Sequence, residues 1–226
     1  MLLAASLGAH AGRPLSSDDA SVAEAGTCQL ESWLERTGTR RALVLAPACA
    51  IAAGLELDAD YTLLQPRDAV RAQAGLALKL APSAWRVESR AGELNFGLKA
   101  HLQYVRPTGA GWRGAETSLL GLASLQASEA WTVHANLGVA RERISRTTAL
   151  VHNLALVWTP MEPLLLFAES QANTRRDVFG ATTSSAGARW WLVKDSLGLD
   201  LTASRQHTAG TPTLWSLGLG WYGLAR

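Results

Sequence analysis

The chain has 226 residues, of which 48% are hydrophobic and only 18% charged, against about 25% charged in an average soluble domain. Its net charge of +2 is too balanced for a dedicated nucleic-acid binder, and its apolar content is too high for a disordered chain. Two cysteines exclude a disulfide-framework miniprotein and a multi-cysteine zinc site, and beyond the N-terminus no apolar run is long enough for a helical membrane span.

Met1–Ala11 reads MLLAASLGAHA, apolar and closed by the A-x-A pattern Ala9-His10-Ala11. This predicts a signal peptide over 1–11, truncated because it has no basic n-region; a buried first strand or helix is the alternative. A polar segment, 12–27, follows. Export implies an oxidising compartment, so Cys28 and Cys49 are expected to pair. Cys28 opens the first strand candidate and Cys49 follows the second, after Thr37-Gly38-Thr39, so an antiparallel hairpin returns both to one end.

From Leu55 onward the chain alternates apolar with polar or tiny residues, the period of a strand. Leu55, Leu57, Ala59, Tyr61 and Leu63 oppose Glu56, Asp58, Asp60 and Thr62. The same alternation runs through Ala72–Leu80, Leu94–Tyr104, Trp131–Ala140, Leu197–Ser204 and Trp215–Tyr222, and no charge falls on the apolar face of any of these segments. Weaker candidates fill the gaps, at Cys28–Arg36, Arg41–Pro47, Glu116–Ser124, Thr148–Thr159, Leu164–Ala172 and Ser184–Lys194. Trp190-Trp191 interrupts the alternation, and Thr148–Thr159 reads in either phase. The expected fold is all-β, an antiparallel up-and-down barrel of about twelve strands over 28–226.

Three features favour a transmembrane barrel over a soluble one. The runs last about nine to eleven residues, the transmembrane strand length. Short connections (Gln126–Glu129, Thr159–Pro163, Lys194–Ser196) alternate with longer polar loops (Arg141–Arg146, Asn173–Thr183, Arg205–Thr213), matching periplasmic turns and extracellular loops. The aromatics gather at strand ends, with Trp131, Trp158, Trp191 and Trp221 by the short turns and Tyr61 and Tyr104 by the loops. That is the pattern of interfacial girdles.

Arg13-Pro14-Leu15-Ser16-Ser17-Asp18-Asp19-Ala20, followed by Gly26-x-Cys28-Gln29-Leu30-Glu31, resembles the mature N-terminus of a group of proteobacterial outer-membrane barrels assigned to meta-pathway phenol degradation or transport. The motif covers about 20 residues. The resemblance implies an outer-membrane location and a barrel fold. The expected partners are outer-membrane lipid, the barrel-assembly machinery and a small solute, without nucleic acid, and no cofactor is expected. One departure is the C-terminus, which runs past Trp221-Tyr222 to Gly223-Leu224-Ala225-Arg226 instead of ending on an aromatic.

The polar face is expected to line a lumen with Glu56, Asp58, Asp60, Arg71, Lys79, Lys99, His101, His134, Glu169, Arg189 and Asp200. Charges of both signs on neighbouring strands favour two readings, a salt-bridged structural barrel or a conduit for small polar solutes. The ladder Glu56, Asp58 and Asp60 also suits a cation, although no metal site is assigned. A membrane-embedded lipid hydrolase needs a Ser beside a His. No His-x-Ser occurs, and only His152 among the histidines is expected to face lipid, so no catalytic residue is assigned and the protein is not expected to be an enzyme. A soluble periplasmic barrel holding an apolar ligand is the remaining alternative.

Overall fold

A computed structural model describes residues 15–66, 69–174 and 182–225. The leader expected at Met1–Ala11, and Arg67-Asp68 of one connection, lie outside the described residues.

Among the described residues thirteen strands form one sheet: β1 (Thr27–Thr37), β2 (Arg40–Ala52), β3 (Leu55–Gln65), β4 (Val70–Leu80), β5 (Val87–Ser89), β6 (Gly92–Pro107), β7 (Arg113–Gln126), β8 (Trp131–Glu142), β9 (Thr148–Met161), β10 (Leu164–Asn173), β11 (Thr183–Val193), β12 (Leu197–Gln206) and β13 (Leu214–Ala225). Successive ring strands pair antiparallel, β4 pairs with β6, and β1 pairs with β13, which closes the ring. The three-residue β5 pairs only with β6, as a short hairpin after a single 3-10 turn at Ser83–Trp85, and stands outside the ring. The barrel therefore has twelve strands, as the alternation predicts. Closure satisfies every ladder, which a membrane demands, since an open edge in hydrocarbon costs several kcal/mol per unpaired group.

The distribution of side chains is inverted relative to a soluble protein. Leu34 and Leu137 on the outer face are 59% and 60% exposed, whereas Glu56, Lys79 and Arg189 on the inner face are 3%, 2% and 1% exposed. An apolar exterior around a charged interior excludes the soluble barrel with an apolar lumen. Leu154, at the middle of β9 between Ala135 and Ser170, is 57% exposed. Leu154→Arg is expected to destabilise the barrel by about 2–4 kcal/mol, the midplane cost of a charge on the lipid face. Urea unfolding in phospholipid vesicles measures it, and an unchanged midpoint would remove this face from lipid.

The start of β1 and the end of β13 lie at the turn end, with the connections β2–β3, β7–β8, β9–β10 and β11–β12; the opposite, loop end carries β8–β9 and β12–β13. At the turn end Trp131 and Trp158 are cross-strand partners stacked at 5.6 Å between centroids, and Trp221 is outward and exposed. Tyr61 and Tyr104 are outward nearer the loops. Trp191 departs from the girdle expected of it. It lies two residues from Arg189, so period two puts both on the inner face, and Trp191 packs edge-on against Tyr222 at 5.6 Å. Trp190 is the outward ring of the pair, 46% exposed.

Cys28 and Cys49 are direct partners between β1 and β2 and are joined in a disulfide, their Cα atoms 4.0 Å apart. The bridge sits at the turn end, immediately after the segment that enters the lumen.

Candidate functional site

The lumen contains the chain's own N-terminal segment. Before β1 begins, Leu15–Ala25 is extended or bent and pairs with no strand ladder. Its backbone polar groups must still be satisfied inside the barrel, and inward side chains of the wall do this. Glu169 on β10 accepts from the backbone N–H groups of Ser16 (3.0 Å) and Ser17 (2.9 Å) and from the Ser17 hydroxyl (3.0 Å). Asn136 on β8 brackets Asp18, its Oδ1 accepting from the Asp18 N–H at 2.9 Å and its amide donating to the Asp18 carbonyl at 2.7 Å. Ser124 accepts from the Ala20 N–H at 2.8 Å, and Glu56 accepts from the Ala23 N–H at 3.1 Å. The Leu15 side chain, 8% exposed, docks on an inward apolar patch of Ala155, Val157 and Phe167.

Two aspartates of the segment engage the two inward lysines. Asp19 is ion-paired with Lys79, both nearly inaccessible to solvent, and Asp18 accepts from Lys99 at 2.7 Å. Lys99 is shared with Asp58 on β3 at 3.1 Å. Burial alone would raise the Asp18 carboxyl, but Lys99 and Lys79 outweigh it and hold Asp18 below the ordinary carboxylate value. Because the folded value is depressed, this contribution is present above the ordinary value and is lost as pH falls through the lowered one.

The residues expected in the lumen fall into distinct groups. Glu56, Asp58, Lys79, Lys99, His134 and Glu169 surround the segment. His134 reaches it through Ser124, whose hydroxyl is 2.8 Å from His134 Nδ1. With the Ala20 N–H donated to its oxygen, Ser124 is occupied in seating the segment; it faces the lumen, not lipid. His152 is exposed on the outer face, and its neighbour Asn153 reaches inward to Asn136 at 3.4 Å. Asp60 and His101 approach to 3.6 Å across Gly75, where a Cβ would stand 1.8 Å from the Asp60 carboxylate. Arg189 and Asp200 form a second cluster with Glu31 and Tyr222 at the β11–β12–β13–β1 wall. Arg71 joins neither cluster; it is half-buried at the loop end, where the β4–β6 register shifts between Val70 and Ala72.

Sequence reasoning overlooks Leu15, Ser17, Asp18 and Asp19 as lumen residues, because a segment outside any periodic run carries no facial pattern. The signal available is Asp18-Asp19 itself, two adjacent carboxylates in a segment outside the alternating runs.

Beside the segment, along the β1–β4 and β6–β7 wall, an open chamber of about 500 Å3 remains. Glu31, Glu56, Asp58 and Asp60 line it against Lys79 and Lys99, with Trp33, Gln103 and Ser118 farther toward the loops. The chamber is net acidic.

Solved structures with this fold are outer-membrane barrels. The KdgM porin superposes with a TM-score of 0.61 at 8% identity, over 85% of this chain and 98% of that one. The NanC porin gives 0.64 at 6% identity, over 86% and 98%. Omp33, an outer membrane protein of Acinetobacter baumannii, gives 0.50 at 6% identity, over 87% and 97%. At these identities the likeness is one of fold, a porin-type outer-membrane β-barrel. No curated protein matches the sequence. The family described as Uncharacterised conserved protein UCP029691 matches residues 1–220, and the chain belongs to it.

Proposed function

We propose that the protein is an outer-membrane channel for small polar solutes, its lumen narrowed by its own N-terminal segment to an acid-lined passage. The chamber of about 500 Å3 beside the segment carries this reading, because a barrel with a purely structural interior has no use for open, charged space. The fold shared with porins supports it, including a KdgM porin structure in complex with disordered oligogalacturonate. That ligand is polyanionic. The wall here presents Glu31, Glu56, Asp58 and Asp60, a field that repels anions and concentrates cations. Cationic or neutral solutes are therefore the favoured class.

Planar-bilayer recording of the refolded full-length protein under a potassium chloride gradient tests the proposal. Small, cation-selective openings are expected. Complete silence at all voltages would overturn the channel and leave the salt-bridged structural barrel, and anion selectivity would overturn the assigned solute class.

A further inference from the structure

The outer face holds a site of a different kind. Across five neighbouring strands the register aligns Leu201, Leu217, Leu34, Leu43 and Leu63 in one outward row. The next outward row toward the loops is Ala203, Trp215, Arg36, Arg41 and Gln65. Between the two rows lies a groove of about 550 Å3, almost wholly apolar below and capped by Arg36 and Arg41. These arginines are direct cross-strand partners on β1 and β2, a spacing of about 4.5–5.5 Å between Cα atoms that lets two guanidinium groups converge on one anion. Arg205 on β12 stands one step higher, also exposed. Among the described residues Glu35 is the carboxylate that borders the groove, and its side chain is turned to the inner face, where it accepts from the Trp33 ring N–H at 2.7 Å.

We propose that this groove binds one phosphorylated, multi-acyl lipid of the outer leaflet, with the acyl chains on the leucine row and the phosphate held by Arg36 and Arg41. The inference rests on the membrane-embedded reading of the barrel and is independent of its being a channel. Charge complementarity selects the occupant. Neutral lipid would offer no counter-charge to two arginines at the hydrocarbon boundary, where a phosphate takes a bidentate guanidinium fork. Arginines crowd the loop end (Arg40, Arg143, Arg146), whereas at the turn end the cations Lys194 and Arg86 are ion-paired with Glu162 and Glu93.

The test uses refolded full-length protein in detergent micelles, titrated with a synthetic diphosphoryl hexa-acyl glucosamine disaccharide and followed by native mass spectrometry and tryptophan emission. One glycolipid per barrel is expected. The double variant Arg36→Gln/Arg41→Gln, and the dephosphorylated disaccharide on the wild type, should each bind at least tenfold more weakly. Equal binding by wild type and variant, or of the phosphorylated and dephosphorylated forms, would overturn the site, as would a second copy of the chain occupying the face. Heat-dependent gel mobility separates the two levels of the argument. A variant that keeps the compact, unboiled form and binds like wild type refutes the groove alone, whereas loss of that form in the wild type refutes the membrane barrel.

Discussion

Arg189→Ala should destabilise the barrel by about 3–5 kcal/mol, the cost of removing one partner from a buried ion pair. Arg189 is 1% exposed, and its Nε and Nη2 donate to the two oxygens of Asp200, each at 2.7 Å. Glu31, which accepts from the Tyr222 hydroxyl, lies 3.8 Å from the same guanidinium. The guanidinium also lies over the rings of Trp191, at 5.0 Å, and Tyr222, at 4.8 Å. Small residues on the facing strands make the room. A Cβ at Gly198 would meet the Arg189 side chain at 3.0 Å, and one at Gly220 would meet the Tyr222 hydroxyl at 2.3 Å. Truncating Arg189 leaves Asp200 and Glu31 charged and buried at the seam where β13 meets β1. Arg189→Lys should recover only part of the loss, since an ammonium cannot form the bidentate pair or stack on both rings. Urea unfolding of the refolded protein, with Arg189→Ala/Asp200→Leu as the control that removes both charges, measures the effect. A cost below about 1 kcal/mol for Arg189→Ala, or a double variant worse than the single, would show that the cluster is not an interdependent unit.

The same residues show why part of the fold is legible in sequence and part is not. In a closed barrel every strand has one face in lipid and one in the lumen, so period two must persist along its length. Leu199, Leu217 and Leu219 can therefore be assigned outward from the alternation alone, and all three are exposed. Trp190-Trp191 defeats that logic, because either phase puts one tryptophan outside. The deciding residue is Arg189, whose inward orientation toward Asp200 carries Trp191 with it. An assignment that places Arg189 in the lumen and Trp191 at the lipid interface contradicts the pleat. The cysteine pair was legible for a converse reason, because the first hairpin's geometry returns residues 28 and 49 to one end regardless of the tertiary fold.

The N-terminal segment was not legible because its conformation is set by distant partners. Ser17 is bound by Glu169 and Asp18 by Asn136, contacts separated by 152 and 118 residues. No local propensity encodes such contacts. What the sequence does contain is the motif Leu15-Ser16-Ser17-Asp18-Asp19-Ala20, and each residue in it has a side chain or backbone group matched in chemistry to a partner in the lumen: Leu15 an apolar patch, Ser16 and Ser17 a carboxylate, Asp18 and Asp19 a lysine each. Ala20 contributes its backbone to Ser124 and is 3% exposed, a position with little space for a larger side chain.

Asp19→Asn should release this segment. Lys79 is 2% exposed, and its ammonium is ion-paired with Asp19. The substitution leaves a buried ammonium without its main counter-charge. If the segment stayed seated, the cost would be about 3–5 kcal/mol; the chain avoids it by lifting the segment away and admitting water to Lys79. A shift of about 3 kcal/mol multiplies the unseated population about a hundredfold. The segment stays tethered, because Thr27 begins β1 and the Cys28–Cys49 bridge fixes its base to β2, so release is a reversible equilibrium at high effective concentration. Ser17→Cys provides the probe, since Ser17 is 3% exposed and the two native cysteines are already joined. A membrane-impermeant maleimide should label Cys at 17 slowly in an otherwise wild-type chain and about a hundredfold faster when Asp19→Asn is added, with larger single-channel conductance in the same variant. Asn136→Ala, which removes the bracket on the Asp18 backbone but leaves both ion pairs, should accelerate labelling less. Equal labelling rates with and without Asp19 would mean that the hydrogen bonds from Glu169, Asn136 and Ser124 hold the segment without the ion pair.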